Sequence, residues 1–374
     1  MELVQIKTLL NDLMTTTGAE CGSVDDFSWV DLGTAVENMT ADQFKSFNEK
    51  FALGVVKTFF DTRRWTKTLD IMTDAQTYEG IKQYVKAGIL DADDVSIVAL
   101  VDGRDYTDGV YKDLDTKAKI YTKDFAYRIK YSIPNEELKF MFSTEDSVKG
   151  YVALIESTVS NTMNKLKWNT QLSTLTGLIV RCLAAGTAKK IPTVTTYNTL
   201  FNKSLTADTA LNDIDFKRWL IEQVANLRSY IMDISSKYNN EGVESFTPRE
   251  DTRVTLLTAV HNALRNVSTF EMIGTDLTIG EYNTVNAWQS TGSGLLPTIA
   301  DVSEIVDNTD PLNPVTYDGV IGVIYDRYSL GMTMKCKKVT SNFIAGGDFT
   351  QFYDHVVGQS FINEYNNAIV LTLE

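Results

Sequence analysis

The residue types that most often carry out acid–base or nucleophilic catalysis are scarce in this chain of 374 residues. It has two histidines, His261 and His355, and neither lies in a recognisable catalytic motif. The patterns H-E-x-x-H, G-x-S-x-G and G-x-x-x-x-G-K-S/T do not occur in the sequence. We therefore interpret His261 as a buried or capping residue and His355 as a packing residue, and we predict no catalytic residues. A carboxylate-based enzyme stays open as an alternative, because two carboxylates suffice for some chemistry.

Residues that could hold a metal or a redox group are equally sparse. Cys21, Cys182 and Cys336 lie far apart without C-x-x-C spacing, so we interpret them as reduced, intracellular thiols. The acidic stretches at 91–94 and 307–310 do not continue as calcium loops, which need a glycine and a later glutamate, and solvated acidic turns are favoured. The sequence predicts no metal site and no cofactor.

Composition and charge restrict the class of protein. Hydrophobic residues make up 43% of the chain and charged residues 22%, which excludes a disordered chain, a fibrous repeat and a membrane protein. The formal net charge of -14 argues against general polyanion binding, because an acidic surface repels phosphate. No basic region followed by an apolar run opens the sequence, so no signal peptide is predicted.

The sharpest strand signal lies at 125–133, where aromatic and β-branched residues alternate with small or charged residues up to Pro134. This signal belongs to an excursion at 100–142 that is locally basic at 117–130, where five cations face one carboxylate, so that the charge there is opposite to that of the whole chain. We predict that its cations contact acidic groups on a neighbouring copy rather than DNA, with a solvated basic face as the alternative. These cations are Lys117, Lys119, Lys123, Arg128 and Lys130.

The strongest helix signal covers 144–185. Apolar residues recur every three or four positions, Ser143 is a plausible N-cap, and Gly186 and Pro192 end the pattern. One nearly continuous helix of about 60 Å is predicted, with a bend at Gly177. The stripe predicted to be buried comprises Val152, Ile155, Val159 and Leu166, whereas Lys149, Glu156 and Lys167 are predicted to lie nearer solvent or a subunit boundary.

Other elements follow from the same patterns. Residues 1–75 are predicted to be helical, with amphipathic stretches at 3–13 and 35–60 that cannot close a core of their own. A further helix is predicted at 206–238. Strands are predicted at 254–260, 319–326 and 366–373.

The order of these elements resembles the major capsid proteins of tailed bacteriophages, whose fold is named after phage Hong Kong 97. The stretches that carry the resemblance are YRIKYSIP at 127–134, KYNNEGVESFTPRED at 237–251, IGVIYD at 321–326, FTQFY at 349–353 and NNAIV at 366–370. The resemblance covers roughly residues 100–374. It implies an α+β Hong Kong 97-like capsid fold with an N-terminal helical arm, an extended β-loop, a long spine helix in a peripheral domain, and an axial domain.

By the resemblance, the chain divides into an N-terminal arm and lead-in at 1–99, an extended β-loop at 100–142, a peripheral domain with the spine helix at 143–190, an axial domain at 191–340 and a C-terminal return to the peripheral sheet at 341–374. The resemblance implies hexamers and pentamers that assemble in the host cytoplasm into an icosahedral head. The expected partners are a separate scaffolding protein, a portal and packaged double-stranded DNA in weak contact only. Covalent crosslinking between subunits stays undecided. An encapsulin-type nanocompartment shell and a carboxylate-based enzyme remain alternatives.

Overall fold

The computed structural model describes residues 65–73, 82–87, 116–121, 124–134, 145–186, 189–271, 282–289, 292 and 294–374, together with residues 40, 42 and 43. The predicted helix at 3–13 and nearly all of the one at 35–60 lie outside the described residues, as does Lys123.

Helices and strands alternate along the described chain. The helices are α1 Glu145–Ala184, α2 Thr193–Phe201, α3 Ala207–Ala210, α4 Ile214–Tyr230, α5 Thr258–Glu271 and α6 Ile299–Ser303. The strands are β1 Met72–Thr73, β2 Lys82–Ala87, β3 Thr116–Tyr121, β4 Asp124–Pro134, β5 Lys190–Pro192, β6 Thr252–Leu257, β7 Tyr282–Val285, β8 Ile305–Asp307, β9 Val315–Tyr317, β10 Val320–Asp326, β11 Leu330–Ile344, β12 Phe349–Ile362 and β13 Ala368–Thr372.

The long helix predicted for 144–185 is confirmed, because α1 is a single helix of 40 residues. Val159 is buried as predicted, and Ile155 and Leu166 are half-buried. Gly177, predicted as the point of a bend, lies against β12, since a Cβ there would come 2.9 Å from Cδ1 of Ile362. The absence of a side chain therefore allows the helix and the strand to approach each other closely.

The prediction that Glu156 lies near solvent is wrong, since its exposed fraction is 4%. The prediction of a single buried stripe assumed that only one side of α1 packs against other elements. Instead, the four-stranded sheet packs on one side, with the Tyr127 hydroxyl 2.8 Å from Thr170 Oγ1. On another side of α1, the Asn161 and Asn164 side chains form hydrogen bonds with the backbone of Trp65. A helix covered on two sides also buries polar flanking residues.

That second covering element is the extended segment 65–73, where the prediction of a helix is wrong. Leu69 and Ile71 alternate into the core, and the Leu69 amide donates to Gln171 Oε1 at 3.1 Å. Between them, the Asp70 carboxylate pairs with Arg253 at 2.6 Å. This two-residue period is that of a strand, and the segment ends in β1, which pairs with β11 in parallel.

A four-stranded sheet in the order β1-β11-β12-β4 lies beneath α1. The predicted strand at 125–133 is confirmed as β4, which pairs with β12 along its whole length. It is therefore part of this sheet. The long β11–β12 hairpin turns through Ala345–Gly347, with Asp348 in the left-handed conformation.

A five-stranded sheet in the order β5-β13-β10-β6-β7 forms the centre of the main core. Its central strand β10 is buried at every position, and the core also takes in the C-terminal half of α1 together with α4 and α5. The predicted strands at 319–326 and 366–373 are confirmed as β10 and β13. The predicted helix at 206–238 is two helices, because Asp213 caps α4 by accepting from the Phe216 amide. The strand predicted at 254–260 ends at Leu257, where α5 begins.

The end of the chain differs from the expected return to the sheet beside the long helix. Residues 349–362 do lie in that sheet as β12, but β13 pairs with β10 and β5 in the other one. The turn between them contains Asn367, whose fully buried amide bonds to the Ile231 carbonyl, Ser245 and Thr247. These bonds direct the terminal strand to the five-stranded sheet. There, apolar side chains on both faces suit a central strand.

Candidate assembly surfaces

The four-stranded sheet has a face that points away from α1 and carries a group of cations. Because side chains alternate along a strand, Phe125 and Tyr127 face α1 whereas Arg128 and Lys130 lie on the opposite face. Pairing of β12 with β4 and β11 brings His355 between Arg128 and Lys338 in one cross-strand row. We call Arg128, Lys130, Lys338 and His355 the basic sheet face.

Aromatic and hydroxyl groups orient these side chains. The Arg128 guanidinium lies 5.3 Å from the centroid of the Tyr353 ring, within cation–π range. Thr340 Oγ1 and His355 Nε2 are 3.1 Å apart and share a hydrogen bond. His355 is therefore a half-buried sheet residue that contacts polar and aromatic neighbours, in keeping with the packing role predicted for it.

The cations predicted from the sequence do not all lie together. Arg128 and Lys130 are exposed on the basic sheet face, whereas Lys117 lies half-buried on β3. Lys119 forms an ion pair with Glu364 of its own chain, so we withdraw it from the predicted contacts with a neighbour. Lys123 is outside the described residues.

The β2–β3 ribbon is held to the turn after β12 through its lysines. The Lys86 ammonium donates to the Tyr365 carbonyl at 2.8 Å and to Asn366 Oδ1 at 3.0 Å. Burial lowers the pKa of Lys86, and the charge of Asp326 opposes that shift. Lys119 is paired with Glu364. Lys86 and Lys119 therefore both bind groups of their own chain.

Sequence reasoning missed Lys338 and His355 as members of the basic sheet face. The signal that could have found them is the turn Ala345-Gly346-Gly347-Asp348, which separates two long polar–apolar segments and predicts a hairpin. Such a hairpin places residues at equal distance from its turn opposite one another.

An acidic tip, defined as residues 286–319, extends from the end of the five-stranded sheet that is distant from β11. It contains five carboxylates and no lysine or arginine. The turn predicted at 307–310 is present, with Asp307 accepting from Thr309 and Asp310 from the Leu312 amide. These hydrogen bonds lower the pKa of both carboxyl groups, so both stay ionised at neutral pH. In the part of the chain that the structure describes, no cluster of three or more possible metal ligands occurs.

The same tip exposes large apolar side chains. The exposed fractions of its three leucines are 102% for Leu295, 91% for Leu296 and 89% for Leu312. The loop and the β8–β9 hairpin that bear them are joined where Gln289 exchanges two hydrogen bonds with the Val306 backbone. Leucines displayed in this way mark a surface that another protein surface can cover.

Groups that could serve catalysis are dispersed. His261 lies half-buried in the first turn of α5, and burial raises the pKa of the Cys182 thiol to about 12. Burial also raises the pKa of Asp326 and Asp354, which belong to different sheets. Asp326 already accepts hydrogen bonds from Thr247 and from the Tyr328 amide.

No helix in the described part of the chain has the length and apolar character needed to cross a membrane.

Solved structures of phage capsids resemble this fold. The capsid structure of Staphylococcus phage Andhra matches with a TM-score of 0.55 at 12% identity, over 84% of this chain and 89% of that one. A structure of head fiber and inner core protein gp22 of bacteriophage P68 gives a TM-score of 0.47 at 12% identity, covering 84% and 89%. The capsid structure of Cyanophage P-SCSP1u gives 0.46 at 12% identity, covering 84% and 90%. The first match confirms the α+β capsid fold predicted from the sequence.

Sequence comparison gives the family. No curated protein matches the chain. The family model described as Phi29-like phage major capsid protein matches residues 8–372, nearly the whole chain. The predicted structural role in a phage capsid is thereby confirmed, and neither the nanocompartment nor the enzyme alternative is favoured. The chain belongs to the Phi29-like phage major capsid protein family.

Proposed function

We propose that this protein assembles as hexamers and pentamers into a closed icosahedral head that encloses the double-stranded DNA of a tailed phage. Family membership supports assembly into a multi-subunit shell. Individual contacts between capsid subunits are modest, so the stability of the shell comes from many of them acting together. The head forms in the host cytoplasm with a separate scaffolding protein and a portal, and it contacts its DNA only weakly.

The observation that carries this proposal is the exposed leucine group of the acidic tip. Burying one leucine side chain is worth about 1.5–3 kcal/mol, so leaving Leu295, Leu296 and Leu312 in water forgoes several times that value. Contact of the tip with a neighbouring copy in the shell removes these side chains from water.

We further propose a division of the chain that follows the two sheets. The peripheral part comprises α1 with the four-stranded sheet, which includes the hairpin 330–362. The axial part comprises the five-stranded sheet with its helices and the acidic tip. In this division α1 is the spine, because its middle, at 163–170, lies on one sheet and its C-terminal part enters the core of the other.

The experiment compares assembly of the wild type with that of L295S/L296S/L312S by electron microscopy and light scattering at high concentration. Closed shells are expected from the wild type, and a large loss of shells is expected from the triple variant. L154S is the control, since Leu154 is an exposed leucine on α1. A wild type that stays monomeric under all assembly conditions, including with its scaffolding partner, would contradict the proposal.

A further inference from the structure

The composition of the basic sheet face opposes the usual pairing preferences of an antiparallel sheet. Lys338, His355 and Arg128 occupy one cross-strand row, and Lys130 lies in the next row opposite Tyr353. Arg128 and Lys338 flank His355 in that row with no carboxylate between them, so their like charges repel each other. Among the described residues, no carboxylate forms an ion pair with Arg128, Lys130 or Lys338. A cluster that weakens the isolated chain points to a function outside it.

The face is also accessible and compact. Arg128, Lys130 and Lys338 are exposed, and α1 occupies the other side of the sheet. Neighbouring strands are about 4.8 Å apart, so the backbone positions of Lys338 and Arg128 are separated by roughly 10 Å. The contact with Tyr353 restrains the Arg128 side chain. Three cations are thus presented close together on a rigid sheet.

We infer that the basic sheet face is the docking surface for the acidic surface of a second copy of this chain. This inference rests on the proposed shell, and it names a contact that holds the shell together. The complementary charge is abundant, because the chain carries a net charge of -14. The acidic tip at 286–319 offers such a surface, with five carboxylates and no lysine or arginine.

The arrangement of the chain requires that a contact between tip and face be made between copies. The acidic tip follows the end of β7, which lies beside the end of β6, and precedes the start of β10. The other end of β10 leads through a short turn into β11. Tip and four-stranded sheet therefore lie at opposite ends of the same core. A contact between unlike surfaces of successive copies closes into rings or shells when the rotation permits.

The test is the variant R128E/K130E/K338E, assembled from nuclease-treated protein so that no DNA contributes. We expect the yield of shells to fall about tenfold or more, because repulsion repeats at every copy. The control is K203E/K237E/R249E, which changes the net charge equally at exposed positions outside the basic sheet face. The control should assemble within about twofold of the wild type, since exposed charges elsewhere contribute little.

Folding is controlled by measuring thermal unfolding of the unassembled chains. If the charge-reversed variant unfolds at a lower temperature than the wild type, the variant R128Q/K130Q/K338Q replaces it in the test. This variant removes the three charges without reversing them, and it should still assemble less well than the control. Normal assembly by the charge-reversed or the neutral variant would overturn the inference. Normal assembly from nuclease-treated protein, with less DNA bound than by the wild type when DNA is added back, would overturn it in favour of nucleic-acid binding. A wild type and a control that also fail to assemble would refute the proposed function itself.

Discussion

Replacing Gly358 by alanine should destabilise the sheet beneath α1 strongly. An added Cβ would lie 2.6 Å from the Thr333 carbonyl oxygen and 2.3 Å from the nearest ring atom of Phe125. Ordinary contacts begin near 3.4 Å, so the overlap with backbone is severe. The Phe125 ring can shift towards the small cavity that it lines below α1. The carbonyl of Thr333 cannot move without disturbing the pairing of β11 with β12.

The magnitude follows from two opposing effects. Alanine reduces the entropy of the unfolded chain relative to glycine, which stabilises by about 0.4–1 kcal/mol at a compatible site. Overpacking of a dense interior costs about 1–3 kcal/mol, and a clash with backbone belongs at the upper end of that range. We therefore expect Gly358→Ala to lower the free energy of unfolding by about 1–3 kcal/mol.

Urea unfolding of the unassembled chain, followed by circular dichroism, measures this change. The matched control is Gly346→Ala at the turn of the same hairpin, where nothing lies within 4 Å of the added Cβ. The control should be neutral or slightly stabilising. If Gly358→Ala matches the stability of the wild type or exceeds that of Gly346→Ala, the packing argument for this strand is wrong.

Three further substitutions test other parts of the fold. Leu175→Ala removes a fully buried side chain of α1 and should cost about 2–5 kcal/mol in urea unfolding, whereas Leu154→Ala at an exposed position should cost under about 0.5 kcal/mol. Burial raises the pKa of Asp354, so the folded chain binds its proton more readily than the unfolded chain. Stability from this group therefore rises as pH falls through the raised pKa and is complete below the unfolded value of about 3.9. Asp354→Asn should abolish that increment in unfolding curves measured against pH, and an unchanged pH dependence would contradict it. Asn367→Ala leaves buried hydrogen-bonding groups without a partner and should cost about 1–3 kcal/mol, and a cost near zero would show that the turn does not direct β13.

Local sequence patterns were sufficient to predict those helices and strands whose structure depends mainly on their own residues. The alternation at 125–133 predicted β4, and the apolar stripe with Gly186 and Pro192 predicted the extent of α1. The apolar stretches that became β10 and β13 were recognised for the same reason, because a buried strand needs β-branched residues on both faces. The segment 65–73 was missed because its two-residue period is short and follows a helical pattern.

Composition and local patterns were enough to assign the class of this protein, a capsid-like α+β chain with a long helix and a basic strand in an otherwise acidic protein. Which charges lie together depends on how distant strands pair in the folded chain. The turn at 345–348 encodes the pairing of His355 with Lys338, but no local pattern encodes the register of β12 with β4, which places Arg128 beside His355 across more than 200 residues. The partner of Lys119 and the burial of Glu156 were decided in the same way. Both features depend on which other element packs against the strand or helix, and a local sequence pattern does not contain that information.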